Sequence, residues 1–208
     1  MAESREERIT GKGNDVAEEP LREVFTGELR GVDIIVCDRE GVTQLYRRGY
    51  GFTEGECLKL SLLEAAYLLY RGLLTVKDSS GKELNFEELL RLGGEYDPEF
   101  WTRLNVYTDL RNRALVVMPG VHNLEFLLDW KRKTKTKRYL IRVVKEGTRL
   151  SFREFEEMFR RALESDRELV MAIVDKEGVI SYYIVEGVLR EGLPEFEDSD
   201  EVQVEQEG

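Results

Sequence analysis

Two stretches of this chain place apolar runs on either side of a short polar turn, as β-hairpins do. The first has apolar residues at 32–36 and 42–46, separated by the polar residues 38–41. The second, at 170–185, repeats the arrangement around the turn 175–178. Both follow the pattern Asp-x-Glu-Gly-Val, in which glycine allows a tight turn. We therefore expect one hairpin, and one small sheet, in each half of the chain.

Helix starts are indicated by side chains that can cap the first turn. In three segments Ser or Asn stands three residues ahead of Glu, so that the two side chains can satisfy backbone amides that lack helical partners. The three pairs are Ser61 with Glu64, Asn85 with Glu88, and Ser151 with Glu154. The first of these helices should end near Gly72, a residue common at left-handed helix ends. A fourth helix should begin after Pro98, where apolar residues follow at helical spacing.

The second half of the chain predicts a mixed layer of strands and helices. After the helix that follows Pro98, the pattern indicates strands at 115–118, 124–130 and 139–145, a helix at 152–165 and the hairpin at 170–185. The expected fold class is α/β (α+β), with a small N-terminal α/β domain and a C-terminal domain in which helices flank a mixed β-sheet. The expected divisions are a mobile extension at 1–23, the two domains at 24–96 and 97–190, and an acidic tail at 191–208.

The negative charge of the chain is concentrated at one end. The formal net charge of the 208 residues is -11, yet residues 191–208 hold eight acidic and no basic side chains. Residues 1–190 therefore carry a net charge of only -3. A low isoelectric point does not exclude a locally basic surface for nucleic acid on the body of the protein.

Cysteine usage and hydropathy indicate a cytoplasmic protein. Cys37 and Cys57 follow no secretory segment, so they give no reason to expect a disulfide framework and fit a reducing compartment. No run approaches the roughly 18 apolar residues of a membrane span. Glu, Lys and Arg are abundant whereas Asn and Gln are scarce, a composition typical of proteins from hot environments.

Five segments resemble the archaeal tRNA-splicing (tRNA-intron) endonucleases. They are the blocks at 60–69, 85–89, 106–111, 139–144 and 171–175, and their order and spacing cover roughly residues 27–186. The resemblance implies a nuclease-like C-terminal domain. It also implies assembly into a dimer or tetramer that cuts precursor tRNA at a bulge-helix-bulge.

The positions at which this family carries its catalytic groups hold different side chains here. Metal-independent RNA cleavage needs a base, an acid and a cation beside the phosphate, and the resemblance implies Tyr, His and Lys in these roles. The corresponding positions are Asp129, Thr136 and Arg167. Thr136 cannot titrate near neutrality, and Arg167 keeps the charge but cannot donate a proton. No catalytic residue is therefore assigned to this chain, and the sequence indicates neither a metal site nor a cofactor.

A relocated active site would have to recruit His122, the only histidine. If residues 121–129 form one strand, His122 and Asp129 lie seven positions apart, about 23 Å along the strand and on opposite faces. The spacing therefore favours a packing or surface role for this histidine.

Two other groups of residues are candidate contact sites. The basic segment 131–138 contains six cations and no acid, so it is either a solvated hairpin turn or a phosphate-binding surface for tRNA. Its candidate RNA-binding residues are Lys131, Arg132, Lys133, Lys135, Lys137 and Arg138. The resemblance further implies subunit contacts through the acidic turn and the last apolar strand, whose candidate residues are Asp175, Glu177, Tyr183 and Val185.

The function expected from these features is that of a structural subunit of a tRNA-splicing endonuclease. A paralogous chain would supply the catalytic groups, with two copies of each chain in the enzyme, and precursor tRNA would be the substrate. Two alternatives remain open. One is an active homo-oligomeric endonuclease with relocated catalytic groups, and the other is a free-standing RNA-binding or scaffold protein that reuses the fold.

Overall fold

A six-stranded sheet and three helices make up the N-terminal half. The computed structural model describes residues 23–132 and 135–185. The strands are β1 (Phe25–Arg30), β2 (Asp33–Val36), β3 (Phe52–Glu54), β4 (Cys57–Ser61), β5 (Leu74–Lys77) and β6 (Glu83–Leu84), and the helices are α1 (Arg39–Arg47), α2 (Leu62–Tyr70) and α3 (Phe86–Tyr96). The strand order is β3-β4-β2-β1-β5-β6, in which only β1 and β5 are parallel neighbours.

The hairpin predicted at 32–46 is wrong, because its second half is the helix α1. The Asp38 carboxylate accepts a hydrogen bond from the Gly41 backbone N–H at 2.7 Å and caps the helix. Gly41 and Leu45, four residues apart, are buried on the same helix face. The same five-residue pattern therefore starts a helix here, because the apolar residues that follow it have helical spacing.

The two cysteines form a disulfide, so the expectation that they are reduced is wrong. Cys37 and Cys57 are joined with their Cα atoms 4.2 Å apart. They come together because β2 and β4 are antiparallel neighbours with Val36 opposite Leu58, which places the next residue of each strand side by side. This long-range register is not visible in the sequence, since α1 and β3 lie between the two strands.

The three predicted capping pairs are confirmed. At the starts of α2, α3 and α5 (Phe152–Glu164), each cap side chain accepts a hydrogen bond from the backbone N–H of its glutamate. Each glutamate carboxylate in turn accepts a hydrogen bond from the backbone N–H of the cap residue. The helix α2 ends close to Gly72, as predicted, and this glycine has a φ of +68°. The fourth predicted helix, α4 (Phe100–Asn112), also forms after Pro98.

The C-terminal half has the predicted order of helix, three strands, helix and two strands. Its strands are β7 (Val117–Pro119), β8 (Glu125–Arg132), β9 (Lys135–Lys145), β10 (Glu168–Val174) and β11 (Ile180–Val185). They lie in the order β11-β10-β9-β8-β7, and only β9 and β10 are parallel, joined through α5. The hairpin predicted at 170–185 is confirmed as β10 and β11. The mixed α/β fold class is thus confirmed in both halves.

A buried arginine ties the two halves together. Arg111 of α4 donates to the backbone carbonyl oxygens of Arg48 and Gly49 at 2.9 and 2.6 Å. Its guanidinium also lies 4.0 Å from the ring centroid of Tyr50 and 5.4 Å from that of Tyr107. One hydrophobic cluster includes residues of both sheets, and a smaller one lies under α5. The boundary expected at 96–97 falls where α3 ends, and the division into two domains stays a prediction.

The predicted terminal segments lie almost entirely outside the described residues. These are the extension at 1–23, of which only Glu23 is described, the acidic tail at 191–208 and the last five residues of the expected C-terminal domain. Among the helices of the described part, none is both long and apolar enough to pass through a membrane.

Candidate functional site

The three positions expected to carry catalysis meet at one corner of the C-terminal sheet. Asp129 of β8 is paired with Arg138 of β9, and the next pair toward the sheet is Leu128 with Tyr139. Tyr139 is in turn aligned with Glu168, the first residue of β10, so that Arg167 directly precedes this strand beside Arg138. Residues distant in sequence are thus brought together by strand register.

Asp129 and Arg167 form an ion pair. Arg167 Nη1 donates to Asp129 Oδ1 at 2.6 Å and makes longer contacts of 3.4 Å to the backbone carbonyl oxygens of Leu128 and Tyr139. The Arg167 side chain is only 13% exposed, whereas that of Asp129 is 40% exposed. The carboxylate therefore lies on the solvent side of the guanidinium. The cation expected to face a phosphate is already engaged by an anion of the same chain.

Thr136 lies on the same face of the β8–β9 hairpin. It is paired with Lys131, two residues along each strand from the pair of Asp129 and Arg138. Such diagonal neighbours are about 7–8 Å apart between their Cα atoms. The hydroxyl of the exposed Thr136 is thus in the neighbourhood of the ion pair, but it does not titrate near neutral pH. The three positions are thus close together, as expected, but Thr136 does not supply an acid that could protonate the leaving oxygen.

A second ion pair lies beside the first. Arg138 Nη1 is 3.1 Å from Asp166 Oδ2, and both side chains are well exposed, by 48% and 91% respectively. We call Asp129, Arg138, Asp166 and Arg167 the corner cluster. Its two guanidiniums and two carboxylates leave it without net charge. Sequence reasoning missed Asp166, because its place in the cluster depends on the turn that joins α5 to β10.

His122 lies at the other end of β8 from the corner cluster. It is exposed, and its carbonyl oxygen accepts a hydrogen bond from the Glu125 backbone N–H at 3.0 Å in the turn that precedes the strand. The premise that 121–129 form one strand is therefore wrong, since β8 begins at Glu125. From Glu125 to Asp129 the strand still spans about 13 Å. The histidine is not brought to the corner cluster.

The basic segment 131–138 continues the β8–β9 hairpin beyond the rest of the sheet. The pairing extends from Asp129 opposite Arg138 to Arg132 opposite Lys135, whereas neither β7 nor β10 reaches this far. Of its candidate RNA-binding residues, Lys131, Lys137 and Arg138 are exposed, Arg132 and Lys135 are placed by backbone register, and Lys133 lies outside the described residues. The described part of the segment is thus an extended hairpin, and its contact with RNA stays a prediction.

The candidate interface residues lie on the β10–β11 hairpin. Asp175 Oδ1 accepts hydrogen bonds from the backbone N–H groups of Glu177 and Val179, which fixes the turn. Asn105 of α4 donates to the Gly178 carbonyl oxygen at 2.7 Å and anchors the turn to the body. The turn borders an open cleft of about 370 Å³ that is also lined by Trp101 and Lys145.

The strand β11 forms one edge of the sheet. Tyr183 is 53% exposed, and Val185 is half-buried against the cluster under α5. Tyr182 points to the other face, and its hydroxyl donates to Asp109 Oδ2 at 2.8 Å. Burial and the neighbouring carboxylate raise the pKa of Tyr182 far above its usual value. This tyrosine is therefore no substitute for a proton acceptor at neutral pH.

A buried charge cluster supports the sheet from the far end of β8. Glu125 is almost fully buried, and its Oε1 lies 2.5 Å from Arg161 of α5 and 3.9 Å from Arg142 of β9. Burial lowers the pKa of Arg142, and Glu125 opposes this effect. The cluster attaches α5 to the sheet and thereby positions the turn that carries Asp166 and Arg167. Sequence reasoning missed it, although the cross-strand pair of opposite charges is a signal of this kind.

Both halves match domains of one protein family. Residues 25–90 match the tRNA intron endonuclease N-terminal domain, and residues 100–182 match the tRNA intron endonuclease catalytic C-terminal domain. The fold is thus that of a nuclease-like protein, and the chain belongs to the tRNA intron endonuclease family.

Archaeal relatives resemble the chain over most of its length. A tRNA-splicing endonuclease of Pyrococcus abyssi is 34% identical over 169 residues, which cover 81% of this chain and 99% of the relative. That of Thermococcus onnurineus is 37% identical over 171 residues, with the same two shares. That of Methanococcus vannielii is 31% identical over 166 residues, 78% of this chain and 93% of the relative.

Proposed function

We propose that this chain is the structural, non-catalytic subunit of a heteromeric tRNA-splicing endonuclease, an enzyme that removes introns from precursor tRNA at bulge-helix-bulge motifs. The observation that carries the proposal is the ion pair of Asp129 with Arg167 at the corner where a family member needs a proton acceptor and an unpaired cation. Thr136 adds no proton donor. Each missing proton-transfer group costs about 10² to 10⁴ in rate.

The catalytic groups would come from a paralogous chain, with two copies of each chain in the cytoplasmic enzyme. Two features support a role in assembly. Within the described residues β11 has a strand neighbour on one side only, so the backbone groups of its outer side, next to the exposed Tyr183, can pair with another strand. The turn at Asp175 and Glu177 is held rigidly and carries two acids, so it can dock against a basic surface of the partner.

The basic segment 131–138 would provide part of the tRNA-binding surface. Its strands project beyond the sheet, and the exposed cations Lys131, Lys137 and Arg138 lie along them. Cations in such an arrangement contact phosphates and position an RNA backbone without reading its sequence. This chain would then hold the substrate while the partner cuts it.

The test is a cleavage assay with a bulge-helix-bulge RNA. The purified chain alone, the catalytic paralogue alone and their mixture are compared, and we expect cleavage that requires the mixture. As a control, Thr136→Ala in this chain should leave the mixture active, whereas loss of the paralogue's catalytic histidine should abolish cleavage. Rapid cutting by this chain alone would overturn the proposal.

The same assay separates the two alternatives. An active homo-oligomer with relocated groups is favoured by the match to almost the whole length of two relatives named tRNA-splicing endonuclease, and it predicts cleavage without a paralogue. A free-standing RNA-binding or scaffold protein predicts RNA binding that the paralogue does not change. We place the heteromeric subunit first, because His122 and the corner cluster lie at opposite ends of β8.

Assembly through the acidic turn has its own test. Changing Asp175 and Glu177 to Lys should weaken association with the paralogue, measured by analytical ultracentrifugation of the mixture. Compensating acidic substitutions on the partner's basic surface should restore it. Glu156→Lys, an exposed change on α5, serves as the control for altered net charge. A turn that does not dock predicts unchanged association for all variants.

A further inference from the structure

The corner cluster has the parts of a phosphate site. Two arginines are neighbours of Asp129: Arg138 is its partner in the strand register, and the guanidinium of Arg167 lies within hydrogen-bonding distance of its carboxylate. Arginine binds carboxylates and phosphates through the same planar fork of N–H donors. The carboxylate of Asp129 therefore occupies a position that suits a phosphodiester oxygen.

Burial shows which partner covers the other. Arg167 is held from below by the carbonyl oxygens of Leu128 and Tyr139, and little of its side chain is exposed. Asp129 is the more exposed member of the pair. Without the charge of Asp129, the guanidinium would still be oriented by the two carbonyl groups and by the packing around it. It would then face solvent and any anion there.

The second pair closes the cluster more weakly. Asp166 is almost fully exposed, and exposed ion pairs contribute little because water and salt screen them. Asp166 has a φ of +53°, a conformation that Asp and Asn tolerate better than other side chains that carry a Cβ. An amide can therefore replace this carboxylate without strain.

We propose that the corner cluster is a binding site for an RNA phosphate that Asp129 holds closed, with Asp166 as a weaker second closing group. An open site of this kind would bind the RNA backbone where no proton transfer can follow. It would thereby compete with the catalytic sites of the partner chain. Only the competition with the partner's catalytic sites rests on the proposed function, whereas the closed site itself is a property of this chain.

The experiment measures RNA binding by this chain alone. The probe is an RNA duplex of about twenty base pairs without bulges, titrated between about 50 and 200 mM salt, a range over which phosphate contacts change affinity strongly. Asp129→Asn should raise the affinity about tenfold at the lowest salt, as expected for a new charge-assisted contact. The slope of log K against log salt should become steeper by about 0.9, the value for one additional phosphate contact.

Glu168→Gln provides the matched control. Glu168 directly follows Arg167, is exposed, and forms no ion pair within the described ranges, so this change removes the same charge without opening the cluster. Asp129→Glu keeps the charge and should keep the low affinity. Asp166→Asn should raise the affinity about twofold, in keeping with an exposed pair, and reports on the cluster even where changes at Asp129 lower stability.

Equal affinities and slopes for Asp129→Asn and Glu168→Gln would overturn the proposal, since net charge alone would then account for binding. Affinities of both Asp129→Asn and Asp166→Asn that equal that of the unaltered chain would overturn it as well. Because the probe has no splice site and no paralogue is present, neither result bears on the cleavage assay. A failure of the phosphate site is thus distinguishable from a failure of the proposed subunit role.

Discussion

The disulfide between Cys37 and Cys57 should contribute about 3 kcal/mol to the free energy of unfolding. The two residues are 20 positions apart in sequence, and the loss of chain entropy on closing a loop of about that length gives this figure at 25 °C. For a chain of this size, about 3 kcal/mol corresponds to roughly 6–12 °C in the unfolding midpoint. The perturbation is the double change of both cysteines to serine.

Guanidinium unfolding of the oxidised protein, the reduced protein and the double serine variant measures this contribution. Reduction and substitution should lower stability by the same amount, because both open the same loop. The serine variant should not respond to reductant, which separates loss of the disulfide from other effects of the reagent. A thiol count on the unfolded, unreduced protein should find no free cysteine.

Two outcomes would refute this reasoning. Two free thiols in protein purified without reductant would show that the cysteines are not joined. A stability loss below about 1 kcal/mol in the serine variant would show that the unfolded chain gains little freedom, since loop closure alone predicts three times as much. These measurements need only the chain described here.

Three further perturbations test the fold and the RNA surface. Arg111→Ala should cost about 3 kcal/mol in a guanidinium titration, since two part-buried carbonyl groups lose charge-assisted partners; a loss under about 1 kcal/mol would contradict the role of this arginine. The double change Lys131→Glu and Lys137→Glu should weaken binding of precursor tRNA by the assembled enzyme and flatten its salt dependence. Lys176→Glu, in the turn between β10 and β11, should have less effect. Equal binding by all variants would show that the basic segment does not contact the RNA. Burial raises the pKa of Tyr50 to about 12. The contribution of this tyrosine to the free energy of unfolding should therefore be fully present below about pH 10 and fall between about pH 10 and 12, where the tyrosine ionises in the unfolded chain before it does so in the folded one. Tyr50→Phe should reduce this loss.

Local signals explain most of the successful predictions. The capping pairs at Ser61, Asn85 and Ser151 predict helices because the stabilising contacts lie within four residues of one another. The pattern at Asp38 and at Asp175 shows the limit of such signals. In both places an Asp side chain accepts hydrogen bonds from backbone N–H groups, yet the segment after Asp38 continues as a helix and the segment after Asp175 continues as a strand. The turn motif alone does not decide, and the spacing of the apolar residues after it does.

The missed features depend on contacts between distant segments. The disulfide follows from the register of β2 and β4, which no local pattern reveals. The scarcity of Asn and Gln is a sequence signal that favours a disulfide. It is typical of proteins from hot environments, and intracellular proteins of hyperthermophiles often contain disulfides, whereas those of other organisms rarely do. The corner cluster was found only in part: the resemblance pointed to Asp129 and Arg167 separately, and their pairing with each other required the alignment of β8, β9 and β10.

The corner cluster lies apart from the residues that hold the fold together. Asp129 and Thr136 are exposed and contribute nothing to either hydrophobic cluster, and Arg167 is satisfied by a carboxylate and two carbonyl groups. The core, the helix caps and the edge strand β11 are built from other residues. Substitution at the corner should therefore leave the surfaces proposed for assembly undisturbed. Under the proposed function, that separation would allow this chain to retain a structural role while a partner carries out the cleavage.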